Sequence, residues 1–111
     1  MEIRQIAEDI AVASQITAGD VEAIAGMGFK TLISNRPDSE QGAVPHDEIR
    51  AASEQAGIAF HYIPVVSGAI TAANVGDMAD AMAVAERPVL AYCRSGARCM
   101  NLFQLMQAAG K

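Results

Sequence analysis

Cysteine is scarce in this chain: Cys93 and Cys99 are the only two among 111 residues. That is too few for a disulfide scaffold. A zinc site would need two further soft ligands, and His46 and His61 lie far away in sequence without ligand spacing. Basic residues are also sparse, eight Lys and Arg against thirteen Asp and Glu, for a net charge of −5. A nucleic-acid binder needs a basic face to displace phosphate counterions, and this balance offers none. No apolar run approaches the roughly 20 residues needed to span a bilayer. The opening MEIRQIAEDIAVASQ places acids where a secretory leader needs an uninterrupted apolar stretch. Metal, nucleic acid and membrane are thus not expected as partners, and no cofactor is called for. The composition points to a soluble, cytoplasmic protein.

What is present is enough hydrophobic content, 51% of residues, to build a core rather than a disordered chain. The length suits one domain, residues 1–111, that buries roughly two-thirds of the surface its unfolded chain exposes. Periodicity and turn punctuation divide it into alternating strands and helices. Ile3–Gln5 and Ile10–Ser14 read as short strands around the polar turn Ala7-Glu8-Asp9. Thr17-Ala18-Gly19-Asp20 resembles a capping box and opens a helix that carries Val21, Ile24, Ala25 and Met27 and is stopped by Gly28. Thr31–Ser34 reads as a buried strand, and Asn35–Pro45 as a polar loop. Asp47–Ala56 is expected to be helical and Ile58–Ile63 extended. After the loop Pro64–Ile70, Thr71 or Asn74 caps a helix to about Ala85, and Met78, Ala79 and Met82 fall at core spacing within it. Val89–Tyr92 is an apolar strand, and a last helix runs from about Arg98 to Ala109. This succession implies a single α/β domain with a central, mostly parallel sheet flanked by helices and joined by right-handed crossovers.

The chemistry concentrates in Cys93-Arg94-Ser95-Gly96-Ala97-Arg98. In an open parallel sheet, ligands bind at the carboxyl ends of the strands, where Val89–Tyr92 delivers Cys93. The next residues turn into a helix N-terminus, whose free amides and dipole favour negative charge. Gly96 allows Ser95, Gly96 and Ala97 to aim their N–H groups at one point, with Arg94 beside them. Arg98 is spaced to return over this nest and grip an oxyanion with two donors. The same amides and arginines should depress the Cys93 pKa and leave a standing thiolate. A thiolate facing an oxyanion cradle describes an enzyme that attacks sulfur or phosphorus. The alternative, a buried structural cysteine beside two solvated arginines, does not explain why strand, cysteine, glycine turn, arginine and helix coincide.

Cys-Arg-Ser-Gly-x-Arg resembles the active loop of rhodanese-type sulfurtransferases. More of the chain is similar to one bacterial family. Gln15-Ile16-Thr17, Gly28-Phe29-Lys30, Asn35-Arg36-Pro37-Asp38, Ile63-Pro64-Val65 and Pro88 through Gly96 match, in order, the family formerly called DUF442. It is also known as the beta-lactamase-hydrolase-like phosphatase-like domain. The resemblance implies a cysteine-phosphatase-like fold bearing a cysteine loop of rhodanese length, with activity as a phosphatase or sulfurtransferase. It also implies Ser after the loop arginine, where this chain has Cys99, and a further C-terminal segment beyond Gly110-Lys111.

Four residues separate Cys93 from Arg98, one fewer than in cysteine phosphatases. A tighter amide ring suits a persulfide sulfur better than a phosphoryl group. A phosphatase also wants an acid to protonate the leaving oxygen, and Val65–Ile70, where phosphatase-like folds commonly place it, has none. The sequence reading is therefore sulfur transfer through a Cys93 persulfide, with a small anionic or persulfide substrate. The alternative is a dual-specificity-like phosphatase working through a phosphocysteine. A non-catalytic binding module fits less well with Cys93, Gly96 and Arg98 kept together.

Secondary candidates complete the site. Arg36 and Asp38 follow the strand Thr31–Ser34 to the same sheet edge, Arg36 as a second positive contact and Asp38 as a remote acid. An Arg–Asp pair that braces the loop is the alternative. Ser67 and Ser95 are placed to line the pocket. His46 is expected to face solvent. Cys99 puts a second sulfur near Cys93, which suits a reversible resolving pair, with a buried filler as the alternative.

Overall fold

The structure, a computed structural model, describes residues 1–110. Five strands form one sheet: β1 (Ile3–Ala7), β2 (Ile10–Ala13), β3 (Thr31–Ser34), β4 (Ala59–Tyr62) and β5 (Val89–Tyr92). Their order across the sheet is β1-β2-β5-β3-β4. β1 pairs antiparallel with β2 through the short polar turn, and the other pairings are parallel. β5 is central. Val89 lies between Ile10 and Thr31, and Tyr92 between Ala13 and Ser34, so β2, β3 and β5 end level with one another.

Helices α1 (Ala18–Gly26), α2 (His46–Ala56), α3 (Ala72–Val84) and α4 (Ala97–Ala108) fill the connections. Their ends follow local chemistry. Asp20 accepts from the Thr17 amide at 2.9 Å at the start of α1. Thr71 and Asn74 cap α3 together, the Thr71 hydroxyl accepting from the Asn74 amide at 3.1 Å while the Asn74 side chain accepts from the Thr71 amide at 2.9 Å. Gly57 ends α2 at a positive φ of 76°.

Side chains alternate across a strand, and the sheet sorts them into two cores. Ala11, Ala13, Leu32, Leu90 and Tyr92 pack with Val21 and Ile24 of α1 and Ile49 of α2. Val12, Ile33, Val89 and Ala91 pack with Met78 and Met82 of α3 and Leu102, Phe103 and Met106 of α4. Cys93 continues the alternation of Val89 and Ala91, which turns it towards α4 and into the second core. The expected parallel arrangement and the delivery of Cys93 to the carboxyl edge are what the sheet shows. Among the described residues, no helix is long and apolar enough to cross a membrane.

Because β5 is paired on both sides and carries the Cys93 loop, its packing bears directly on stability. Leu90 has no exposed surface. Leu90→Ala should cost about 2–5 kcal/mol in urea unfolding, with the cooperative transition retained. A loss well under 1 kcal/mol would mean that the inner core relaxes around the gap.

Candidate active site

Backbone hydrogen bonds at the carboxyl edge of the sheet set the position of the Cys93 loop. The Asn35 amide donates to the Tyr92 carbonyl at 2.8 Å and the Cys93 amide to the Ala13 carbonyl at 3.3 Å. Asn35, fully buried, also donates from its side chain to the Ile63 carbonyl at 3.0 Å, and its own carbonyl accepts from the Val65 amide at 3.0 Å. One asparagine thereby splices β3 and β5 to the segment after β4.

Past Cys93 the chain turns at Gly96, whose φ of +93° is a conformation that L side chains rarely adopt. A Cβ there would also stand 3.5 Å from the Ala13 carbonyl oxygen and from Val12. The turn aims the Gly96 amide at Cys93 Sγ, 3.1 Å away. α4 begins at the next residue, so the sulfur sits at a helix N-terminus.

The Cys93 thiol is lowered to about 5 from its ordinary value. Its largest cause is a hydrogen bond from the Cys99 side chain, opposed by burial and reinforced by the amides of Cys99, Ser95 and Gly96. The expected amides contribute, the arginines are not among the leading causes, and the largest donor is a second thiol that the sequence reading does not credit. Cys99 moves the opposite way, well above its ordinary value, because it is buried and faces the Cys93 charge. Both cysteines are free, one held as the thiolate and the other as its proton donor.

Arg98 does not stand free over the nest. Its Nη1 and Nη2 donate to the two oxygens of Glu40 at 2.8 and 3.1 Å, and Nη1 also reaches the Val65 carbonyl at 2.9 Å. The grip expected on an oxyanion is thus made on a resident carboxylate. Of the Arg98 nitrogens, Nε is buried without a hydrogen-bond partner among the described residues. Arg36 is committed to the same acid, with Nε at 3.2 Å from Glu40, and to Gln15 and the Gln41 carbonyl at 3.0 and 2.7 Å. Together the two guanidiniums hold Glu40 below the usual carboxylate range, Arg98 foremost. Glu40 escapes sequence reasoning, although it lies four residues after Arg36 in the polar loop.

Arg36, Glu40, Ser67, Cys93, Arg94, Ser95, Ala97 and Arg98 line one cleft of about 500 Å³. Asp38 does not join them. Neither the remote-acid role nor the Arg–Asp brace describes it, because its carboxylate is taken by His46: Oδ2 lies 2.6 Å from Nδ1, and Oδ1 accepts the His46 amide at 2.9 Å. His46, expected to face solvent, instead stacks on Tyr62 with ring centroids 3.8 Å apart. The Ala97 amide turns towards the Ser95 hydroxyl at 3.4 Å.

Two measurements probe this arrangement. Thiolate absorbance of Cys93 should appear as pH rises through about 5, remain at neutral pH and disappear as pH falls below that value. Cys99→Ala should move the midpoint upward, since it removes the largest stabilising donor, whereas an unmoved midpoint would assign the effect to the amides alone. Gly96→Ala forces the turn out of its left-handed conformation. It should raise the midpoint as well, and retention of the wild-type value would show that the amide's aim is unimportant.

The chain matches a family model described as "Beta-lactamase hydrolase-like protein, phosphatase-like domain" over residues 2–110. The beta-lactamase hydrolase-like protein of Agrobacterium fabrum is 34% identical over 109 residues, covering 97% of this chain and 25% of that protein. Its counterpart in Xylella fastidiosa is 33% identical over 108 residues, covering 96% and 25%. The chain thus spans about a quarter of the length of these curated relatives. The crystal structure of a putative phosphatase from Neisseria meningitidis superposes with a TM-score of 0.87 at 39% identity, covering 99% of this chain and 79% of that one. The core catalytic domain of a PP-IP phosphatase from S. cerevisiae shares the fold alone, with a TM-score of 0.67 at 14% identity and coverage of 85% and 56%. A cysteine-phosphatase-like enzyme fold is therefore in place around Cys93, and the chain belongs to the phosphatase-like domain family of the beta-lactamase hydrolase-like proteins.

Proposed function

We propose that this domain hydrolyses small phosphate monoesters through a phosphocysteine at Cys93. The observation that carries the reading is a sulfur held as thiolate, with a pKa of about 5, at the N-terminus of α4 and on the wall of the cleft. The putative phosphatase from Neisseria meningitidis, 39% identical, supports phosphorus as the target. In the first step Cys93 Sγ attacks phosphorus and the bond to the leaving oxygen breaks, its electron pair departing with that oxygen. Glu40 is held ionised by Arg98 and Arg36, so the leaving oxygen takes its proton from water. In the second step water attacks the phosphocysteine, phosphate leaves and the thiolate returns. The Gly96 amide holds the attacking sulfur as thiolate, the N-terminus of α4 favours the charge of the phosphoryl oxygens, and Glu40 fixes the Arg98 side chain.

A second reading keeps the same nucleophile. The four-residue spacing between Cys93 and Arg98 and the ionised state of Glu40 favour sulfur transfer. There the thiolate attacks the outer sulfur of thiosulfate, the S–S bond breaks, sulfite leaves with the electron pair, and a thiol acceptor removes the persulfide sulfur. Either reaction has a small anionic substrate, and the free thiols suit a reducing compartment such as the cytoplasm.

Paired assays on one preparation decide between them. Phosphate release from an aryl phosphate should exceed sulfur transfer from thiosulfate, and Cys93→Ser should abolish it. A gain of one sulfur atom by intact mass spectrometry, without phosphate release, would replace the first reading by the second.

A further inference from the structure

Two free thiols stand together at this site, one facing the cleft and the other facing the core. Cys93 lines the cleft wall and Cys99 does not, yet both pack in one apolar cluster with Val12, Ala91 and Leu102. Cys99 comes from the first turn of α4, and its thiol donates a hydrogen bond to Cys93 Sγ. It lies one residue before the Met100 amide, which donates to the Gly96 carbonyl at 3.1 Å, so its sulfur can close on Cys93 without breaking that bond. Phosphate hydrolysis uses the first sulfur as nucleophile and the second only as a donor. The reducing capacity of the pair goes unused.

We propose that the two sulfurs give this site a further activity, the reduction of arsenate, a tetrahedral oxyanion shaped like phosphate, to arsenite. The inference rests on the oxyanion site of the phosphomonoester reading and adds a reaction that one sulfur cannot complete. Cys93 Sγ attacks arsenic, a sulfur–arsenic bond forms, and one oxygen leaves as hydroxide. Forming that bond removes the charge on Cys93. Burial and that charge are what hold Cys99 protonated, so its ionisation becomes easier once the adduct exists, and Arg98 favours the same direction. The proton that Cys99 gives up neutralises the hydroxide to water. Cys99 Sγ then attacks Cys93 Sγ from the side away from the cleft. The sulfur–arsenic bond breaks and its electron pair stays on arsenic. Arsenic(V) becomes arsenic(III), two thiols become one disulfide of about 2 Å, and solvent protonates the departing arsenite. Phosphorus(V) is not reduced by thiols, so its cysteine adduct leaves by hydrolysis alone. An external dithiol restores the pair for the next turnover.

The test uses the intact, fully reduced chain, freed of reductant and incubated with arsenate in the absence of air and added thiol. About one arsenite per chain should form, with a mass loss of about 2 Da and a peptide linked through Cys93 and Cys99. Phosphate in place of arsenate should leave both thiols free. Cys99→Ser should release roughly tenfold less arsenite, and peptide mapping of the unaltered chain decides the matter even where that variant folds poorly. If arsenate inhibits phosphate release from an aryl phosphate but no arsenite forms, the inference falls and the phosphomonoester reading stands. Arsenite formation without any release of phosphate from the ester would keep the inference and remove that reading. Arsenate that neither inhibits nor is reduced overturns the inference together with the oxyanion site. A disulfide found between chains rather than within one would also overturn it.

Discussion

The hydrogen bonds that keep a charged sulfur inside an apolar layer govern the rest of this molecule. Cys93 has about 1% of its surface exposed and packs with Val12, Ile33, Ala91 and Leu102, where an unpaired anion would be costly. The structure offsets that cost with donors that have few other duties: the Gly96 amide at a turn only glycine accepts easily, amides at the start of α4, and the Cys99 thiol. Each donor constrains the backbone. α4 must begin directly after Gly96, β5 must end level with β2 and β3, and Cys99 must face inward from the first turn of the helix.

A second constraint follows from the cations. Arg98 is 9% exposed and Arg36 6%, and two buried guanidiniums need an anion. Glu40 supplies it, and the Asn35 and Val65 carbonyls also accept from Nη1 of Arg98. The guanidinium that sequence reasoning assigns to the substrate is thereby held by the protein. An anion entering the cleft would have to share or displace Glu40 to reach Nη1 and Nη2.

How much of this is legible from residues alone depends on the range of the interaction. The order of strands and helices is readable because period-two and helical patterns are local, as are Gly57 and the Thr71–Asn74 pair that end and begin helices. The cleft residues that follow β5 are readable for the same reason: Cys93 through Arg98 are contiguous. The partners of Arg98 are not, since Glu40 lies 58 residues away and meets it only after β3, β4 and β5 are assembled. Asp38 and Arg36 share a motif yet separate in space, because the chain turns between them and delivers Asp38 to His46 and Glu40 to the arginines. Local sequence places both near the right edge of the sheet. Only packing decides which carboxylate enters the cleft.

The choice of thiol rather than hydroxyl at position 99 extends the same logic to chemistry. A hydroxyl is a better hydrogen-bond donor than a thiol, so the depressed Cys93 value is reached with a weak donor that is itself buried. A thiol donor can also lose its proton, and here burial and the neighbouring thiolate both oppose that loss. The two sulfurs consequently hold one proton between them over a wide pH range, with the charge on Cys93, at the cleft, and the proton on Cys99, in the core. Asymmetry of environment, not of residue type, therefore decides which sulfur carries the charge. One sulfur lines the cleft at the tip of a strand, and the other sits a helical turn inside.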